Sequence, residues 1–252
     1  MGRAATYQGL VGKTGGVAAR MDTLSVLLIA LNDFGARSVL DLGCGDGAIA
    51  RQLAEKGLAV TGVDPSEDAL ARARIAAPDI DFICGRAEAL PPDLPRTDAA
   101  IFVNTLHHVP SGSMADALLG AVGAVRDGGG VLVIEPMAQG SFFRAMHPVD
   151  DERAARAEAH QTIDRLISTE RIALRALRRW NRENCFKDLD EFVGYLSRTS
   201  PKRAGTAARN EARLARAWRN NIRSQDGMAV LIQPMICWTL TAPGRPVKLN
   251  RL

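Results

Sequence analysis

The stretch Val39-Leu40-Asp41-Leu42-Gly43-Cys44-Gly45-Asp46-Gly47-Ala48 decides how the chain is read. A short apolar run leads into a turn with glycine at alternate positions, and helical spacing follows from Ala48 to Lys56. Glycine reaches positive φ without steric cost and lets a ligand approach the backbone closely, so the pattern predicts a strand, a ligand-cradling loop and a helix. Gly43, Gly45 and Ala48 satisfy the fingerprint Gly-x-Gly-x-x-Gly/Ala, with Asp64 at about the ~20-residue distance expected of an acid on a ribose hydroxyl.

Outward from this loop, Ala36 to Gly140 alternates short apolar runs with helical stretches, the pattern of a parallel sheet with crossover helices. Strands are expected at Ser38 to Leu42, Ala59 to Val63, Asp81 to Cys84, Ala99 to Val103 and Gly130 to Glu135. Helices are expected at Glu67 to Ile75 and Ser113 to Val125, with another from Val17 to Phe34 ahead of the first strand. The rhythm changes after Gly140. Pro148 followed by Asp150, Asp151 and Glu152 reads as a helix start, acids facing the positive end of the dipole, and the helical pattern continues to about Ile167. Arg171 to Phe186 alternates as a strand, Asp188 to Leu196 and Arg203 to Arg223 read as helices, and Gly227 to Thr241 as a last strand with Pro234 at an edge or bulge. The expected fold class is α/β, a doubly wound, mostly parallel, Rossmann-like sheet with a mainly helical insertion after the fifth strand. Residues 1–140 form its ligand-binding core with an N-terminal helical arm, residues 141–226 a helical cover with one strand near 171–186, and residues 227–252 a strand returning to the core and a tail.

The 252 residues, 46 % apolar and 24 % charged, exclude disordered, collagen-like and disulfide-scaffold classes. No window approaches the roughly 20 apolar residues of a membrane span, and the N-terminus lacks the apolar stretch of a signal peptide, so a cytoplasmic protein is expected. Cys44, Cys84, Cys185 and Cys237 form no Cys-x-x-Cys, which argues against a zinc cluster or a disulfide framework. Of the net charge of +4, Ser141 to Gln225 carries +7 and the remainder −3. Interleaved acids and few aromatics make this basic segment a solvated or carboxylate-contacting surface rather than a nucleic-acid groove.

Asp41 separates two kinds of ligand for the glycine turn. A carboxylate at its mouth repels a pyrophosphate and attracts a cation, and S-adenosylmethionine carries an ammonium and a sulfonium but no phosphate. From here the sequence resembles the class I S-adenosylmethionine-dependent methyltransferases in their Asp/Glu-x-Gly-x-Gly-x-Gly form, over Ser38 to about Gly140. Asp41, Gly43 and Gly45 match the first motif, and Val63-Asp64-Pro65-Ser66 matches the second. Gly85-Arg86-Ala87-Glu88-Ala89-Leu90-Pro91 matches the adenine segment, and Asn104-Thr105-Leu106-His107-His108-Val109 the end of the fourth strand. Arg126-Asp127-Gly128-Gly129-Gly130 is similar to the turn before the fifth strand, with Asp127 where Pro is usual. The resemblance implies S-adenosyl-L-methionine as cofactor, S-adenosyl-L-homocysteine as product, and a donor site of Asp41, Gly43, Cys44, Gly45, Asp64, Pro65, Arg86, Ala87 and Asn104, with Asp64 on both ribose hydroxyls. Arg86 departs from it: many relatives carry an Asp there that accepts from the adenine amino group, and guanidinium offers no acceptor. Adenine recognition then passes to Glu88, to the backbone of Ala87, or to stacking on Arg86.

The reaction implied is in-line methyl transfer to an oxygen, nitrogen or sulfur of a small-molecule acceptor, driven by alignment and exclusion of water. His108 is the candidate general base and His107 a structural residue. Leu-His-His also occurs in methyltransferases without a metal, and helix capping explains Asp150 to Glu152, so no metal is expected. Glu135, at the carboxyl edge of the sheet, and Phe143, Arg144, His147 and Asp150, at the entrance to the cover, are the candidate acceptor residues, joined by Tyr7 and Lys13 of an arm that in the resembling family closes over the donor. Gly12-Lys13-Thr14 fails as a P-loop because Tyr7 stands where its first glycine belongs. Arg144, Arg175, Arg178 and Arg179 favour an acceptor bearing a carboxylate. Two alternatives stand beside this reading: a nucleic-acid methyltransferase, disfavoured by the absence of Asn/Asp-Pro-Pro-Tyr after the fourth strand, and a non-catalytic methyl-donor-binding protein.

Overall fold

The central strand β1 (Ser38–Leu42) is flanked by β2 (Ala59–Asp64) and β4 (Thr97–Val103), with β3 (Asp81–Cys84) outside β2 and β5 (Val125–Pro136) outside β4, all parallel. The computed structural model describes residues 20–199 and 201–244, so Tyr7 and Lys13 lie outside the described residues. Beyond β5 the direction reverses. β8 (Met228–Thr241) runs antiparallel to β5, and β6 (Ala173–Phe186) antiparallel to β8, giving the order β3-β2-β1-β4-β5-β8-β6. A short β7 (Arg223–Gln225) pairs with the start of β8. The winding sense of the parallel strands changes between β1 and β4, and their carboxyl ends leave a crevice there.

Both faces of the sheet are covered, which is why the inner strands are continuous apolar runs. Val39, Ile101 and Leu132 pack against α1 (Thr23–Asp33), α2 (Ala48–Ala54) and α3 (Glu67–Ala76). Leu40, Phe102 and Val133 face the other way, against α4 (Met114–Ala124) and α6 (Arg153–Ser168). A third core around Phe142, Phe192 and Trp218 belongs to the cover, formed by α5 (Gly140–Met146), α7 (Leu189–Thr199), α8 (Pro201–Arg209) and α9 (Glu211–Asn221). The arginine-rich strand expected at 171–186 is β6, and it is the sheet's edge strand, where charged side chains discourage pairing with another chain.

Four local expectations need correction. Helix α1 starts at Thr23 rather than near Val17, because the Asp22 carboxylate caps it by accepting from the Ser25 N–H at 2.7 Å. Helix α6 starts at Arg153 with no acid in its first turn and no side-chain cap, so helix capping does not account for Asp150, Asp151 and Glu152. Arg203 to Arg223 is two helices broken at Asn210, whose side chain donates to the Pro148 carbonyl at 3.0 Å. Pro234 sits at neither an edge nor a bulge: it pairs with Asn181 inside the sheet. Its carbonyl accepts from the Met137 N–H at 2.9 Å, just past the last β5 pair, so its missing N–H falls where the β5 ladder has ended.

Candidate active site

The glycine turn after β1 is held from beneath. The Gly43 and Cys44 N–H groups donate to the Val63 carbonyl at 2.7 and 3.2 Å, and Gly43, Gly45 and Gly47 all take positive φ. A side chain at Gly43 would collide with Thr105, with its Cβ 2.0 Å from Cγ2, whereas a Cβ at Gly45 would meet nothing within 4 Å. Gly45 thus borders the open space where a ligand approaches the backbone. Asp64, at the end of β2, accepts from the Gly45 N–H at 2.9 Å and the Ser66 N–H at 2.8 Å, one on each oxygen, leaving further lone pairs for ligand hydroxyls. Asp41 is buried under the turn with Oδ2 unpartnered. Burial first, and the Asp64 charge second, push its pKa up to about 7. An acid left without a partner beneath a ligand cradle is suited to a cationic ligand.

The other residues expected at the donor site lie around the same cradle. Cys44 is buried with its thiol pushed up by burial and by the Asp41 and Asp64 charges, so it acts as a small, un-ionised filler. Asn104 has φ of 55°, places a buried, unpartnered Oδ1 beside the cavity, and donates its N–H to the Ile134 carbonyl at 2.8 Å. Arg86 donates through Nε to Glu88 at 2.6 Å. The pair, with Pro65 and Ala87, lines a cavity of about 950 Å³ that runs on from the glycine turn to His108 and the cover.

Behind that cavity lies a buried charge network. Glu135, fully buried at the end of β5, accepts from the Leu106 N–H at 2.8 Å and binds His107 Nδ1. Burial opposes a charge on the His107 ring, but Glu135 by charge and hydrogen bond, then Glu152, outweigh it and raise the pKa to about 9. Glu152 receives Arg156 and Arg203, one on each oxygen and both at 2.5 Å, and against the penalty of burial His107 and the two arginines hold it well below the usual carboxylate range. His108 stacks on His107 with ring centroids 4.0 Å apart, and desolvation, then the His107 charge, lower its pKa. Ligand atoms of His107, His108 and Glu152 lie within 4.8 Å of one another, a spacing that suits a metal. The donor set does not: both Glu152 oxygens are taken by guanidinium groups, and Glu135 and Glu152 favour the protonated form of His107.

Of the acceptor candidates, the structure brings few to this cavity. Glu135 lies beneath it and acts through His107. On α5 the cavity is lined by Phe142 and Met146, one turn apart, rather than by Phe143, whose ring carries the Arg156 guanidinium at 5.1 Å. Arg144 donates to Asn221 at 2.7 Å, His147 bonds Arg153 and Asp151, and Asp150 accepts from Arg203 at 2.8 Å; none of the three lines the cavity. The arginines singled out for an anionic acceptor also lie elsewhere: Arg175 bonds Thr241 and Arg178 pairs with Asp33. While Arg72 and Arg86 line the donor side of the cavity, on the side of the cover it is lined by Arg156, Arg182, Arg198 and Arg203, with Tyr195 and Gln233. Sequence reasoning passed over them because their convergence depends on how α6, β6, α7 and α8 fold back over the crevice. Only the Phe142/Met146 spacing carried a local signal.

Residues 39–129 match the family model described as a methyltransferase domain. A ubiquinone biosynthesis O-methyltransferase of Alkalilimnicola ehrlichii is 37 % identical over 101 residues, 38 % of this chain and 40 % of that protein. An uncharacterized methyltransferase of Mycobacterium tuberculosis is 40 % identical over 74 residues, 29 % of this chain and 30 % of its own length. The chain therefore spans less than half the length of these curated relatives. Among solved structures, the YcgJ protein of Bacillus subtilis superposes with a TM-score of 0.62 at 17 % identity, covering 88 % of this chain and 98 % of that one. The [4+2]-cyclase SpnF does so with a TM-score of 0.58 at 16 % identity, covering 94 % and 91 %. The second shows that this fold alone does not fix a reaction. The family match, the motif order and the strand order all fall on the same residues, so over 39–129 the chain is similar to methyltransferase domains.

Proposed function

We propose that the protein is an S-adenosylmethionine-dependent methyltransferase acting on an oxygen, nitrogen or sulfur nucleophile of a small molecule. The observation that carries this reading is the pair of acids at the glycine turn: Asp41, buried with an unpartnered oxygen, and Asp64, with free lone pairs beside the open face of Gly45. Such a turn receives a cation and a diol and rejects a phosphate. When bound, the donor supplies a methyl group already activated on a sulfonium.

The chain's own residues supply the rest. Asp64 takes the ribose hydroxyls, Glu88 and the Ala87 backbone face the adenine, and Asn104 offers its unpartnered oxygen to the ammonium. Phe142 and Met146 exclude water from the space in front of the turn. His108 takes the acceptor's proton. Desolvation, then the charge on neighbouring His107, lower its pKa and so favour the neutral form that a base requires. A small-molecule acceptor is supported by the cavity, a recessed pocket of about 950 Å³, within the usual range for such ligands.

Titration calorimetry tests the reading. S-adenosylhomocysteine is expected to bind and to raise the melting temperature, whereas NAD and ATP leave it unchanged. A preference for NAD would overturn the assignment.

A further inference from the structure

Part of the cavity wall is built by β6, α7 and β8, outside every donor motif. Arg182 on β6 stands in register with Gln233 on β8, and both line the cavity with Tyr195. Arg156 and Arg203, in the same cavity, are matched to Glu152 and Asp150. Arg182 is not matched: its Nε is buried without an acceptor, and among the described residues no carboxylate pairs with its guanidinium. Burial depresses its pKa, and near it lie the Tyr195 phenol and another cation, Arg156. Gln233 shows the complementary defect, since its Nε2 donates to the carbonyls of Met137 and Pro234 at 2.8 and 2.9 Å while its buried Oε1 receives nothing.

A buried guanidinium N–H without an acceptor is costly, and so is a buried carbonyl without a donor. An external ligand relieves both at once if it brings an anion to Arg182 and a hydrogen-bond donor to Gln233. Guanidinium favours a planar carboxylate, which it holds through two parallel bonds. The adjoining wall is apolar, from Phe142, Met146 and Leu196.

We propose that Arg182 binds a carboxylate of the methyl acceptor and that Gln233 accepts a hydrogen bond beside it, so that the substrate is an organic acid with an apolar body. The inference rests on the methyltransferase reading of the same cavity.

The test uses the full chain saturated with S-adenosylhomocysteine, titrated with 3-phenylpropanoate and with its neutral isostere 3-phenylpropanamide. The acid is expected to bind about tenfold or more tightly than the amide, the margin of one charge-assisted contact. Arg182→Gln is expected to abolish that margin while leaving amide affinity and S-adenosylhomocysteine affinity within twofold, and Arg182→Lys to restore part of it. The inference fails if wild-type protein binds acid and amide equally, if it binds S-adenosylhomocysteine but not the acid, or if Arg182→Gln keeps full affinity for the acid. The wild-type comparison stands whether or not the variants fold. Loss of S-adenosylhomocysteine binding by wild-type protein overturns the methyltransferase reading instead.

Discussion

Asp41 illustrates how a buried acid with an unpartnered oxygen weakens the fold that carries it. Its carboxyl has a folded pKa of about 7, above the usual value near 3.8, so the folded state holds the proton more tightly than the unfolded one. The stability this confers is complete below about pH 4 and is lost as pH rises through 7. Asp41→Asn removes the loss. The ligand-free variant is expected to melt above wild type at pH 8 and level with it near pH 4, while S-adenosylhomocysteine affinity falls. A variant that melts lower at pH 8 would show that the carboxylate is partnered after all. Asp64→Ala is the contrasting case: donor affinity is expected to drop at least about tenfold, the measure of one or more charge-assisted bonds, with the circular dichroism spectrum unchanged. His108→Gln is expected to lower kcat about a hundredfold or more and to remove the acidic limb of the rate profile, which in wild type lies below the ordinary histidine value because desolvation and His107 depress it. A profile whose limb survives the substitution would exclude His108 as the base.

At the scale of elements, the Glu135–His107–Glu152 network ties the short turn after β4 to the end of β5, the start of α6 and, through Arg203, to α8. Removing one partner leaves the others buried and uncompensated, so Glu152→Gln is expected to cost about 3 to 5 kcal/mol in urea unfolding. His107 sets the upper limit of the network. Its folded pKa near 9 lies above the ordinary value, so its contribution is complete below about pH 6.5 and disappears as pH rises through 9. What was legible in the sequence follows the same division. The five parallel strands and the glycine turn could be read because each strand and loop carries its own signal within ten residues. Three features could not. The acids before α6 imitate a helix start, and only the distant arrival of Arg203 and His107 reveals their role. Asn210 breaks a helix through a bond to Pro148, and Pro234 fits an inner strand only because β5 stops beside it. The residues lining the cavity on the side of the cover were not legible for a related reason: arginine content is visible in sequence, but which arginines reach the cavity is a property of the folded arrangement.

For the whole molecule, the cover does not stand apart as a separate body. Its strand β6 belongs to the same sheet as the glycine turn, joined through β8, so core and cover are expected to melt in one calorimetric transition, with or without S-adenosylhomocysteine. Two resolved transitions would contradict that coupling. The position of β8 has a further consequence, which concerns the order of assembly. β8 is synthesised after β6 yet lies between β5 and β6, so β6 leaves the ribosome about forty residues ahead of the strand that alone can tie it into the sheet. Until β8 arrives, the parallel half of the sheet ends at β5 with an open edge, and Arg182 has no Gln233 opposite. The wall that Arg182 and Gln233 share therefore cannot form until β8 has been synthesised, and it depends on long-range pairing that slows folding and leaves it exposed to misassembly.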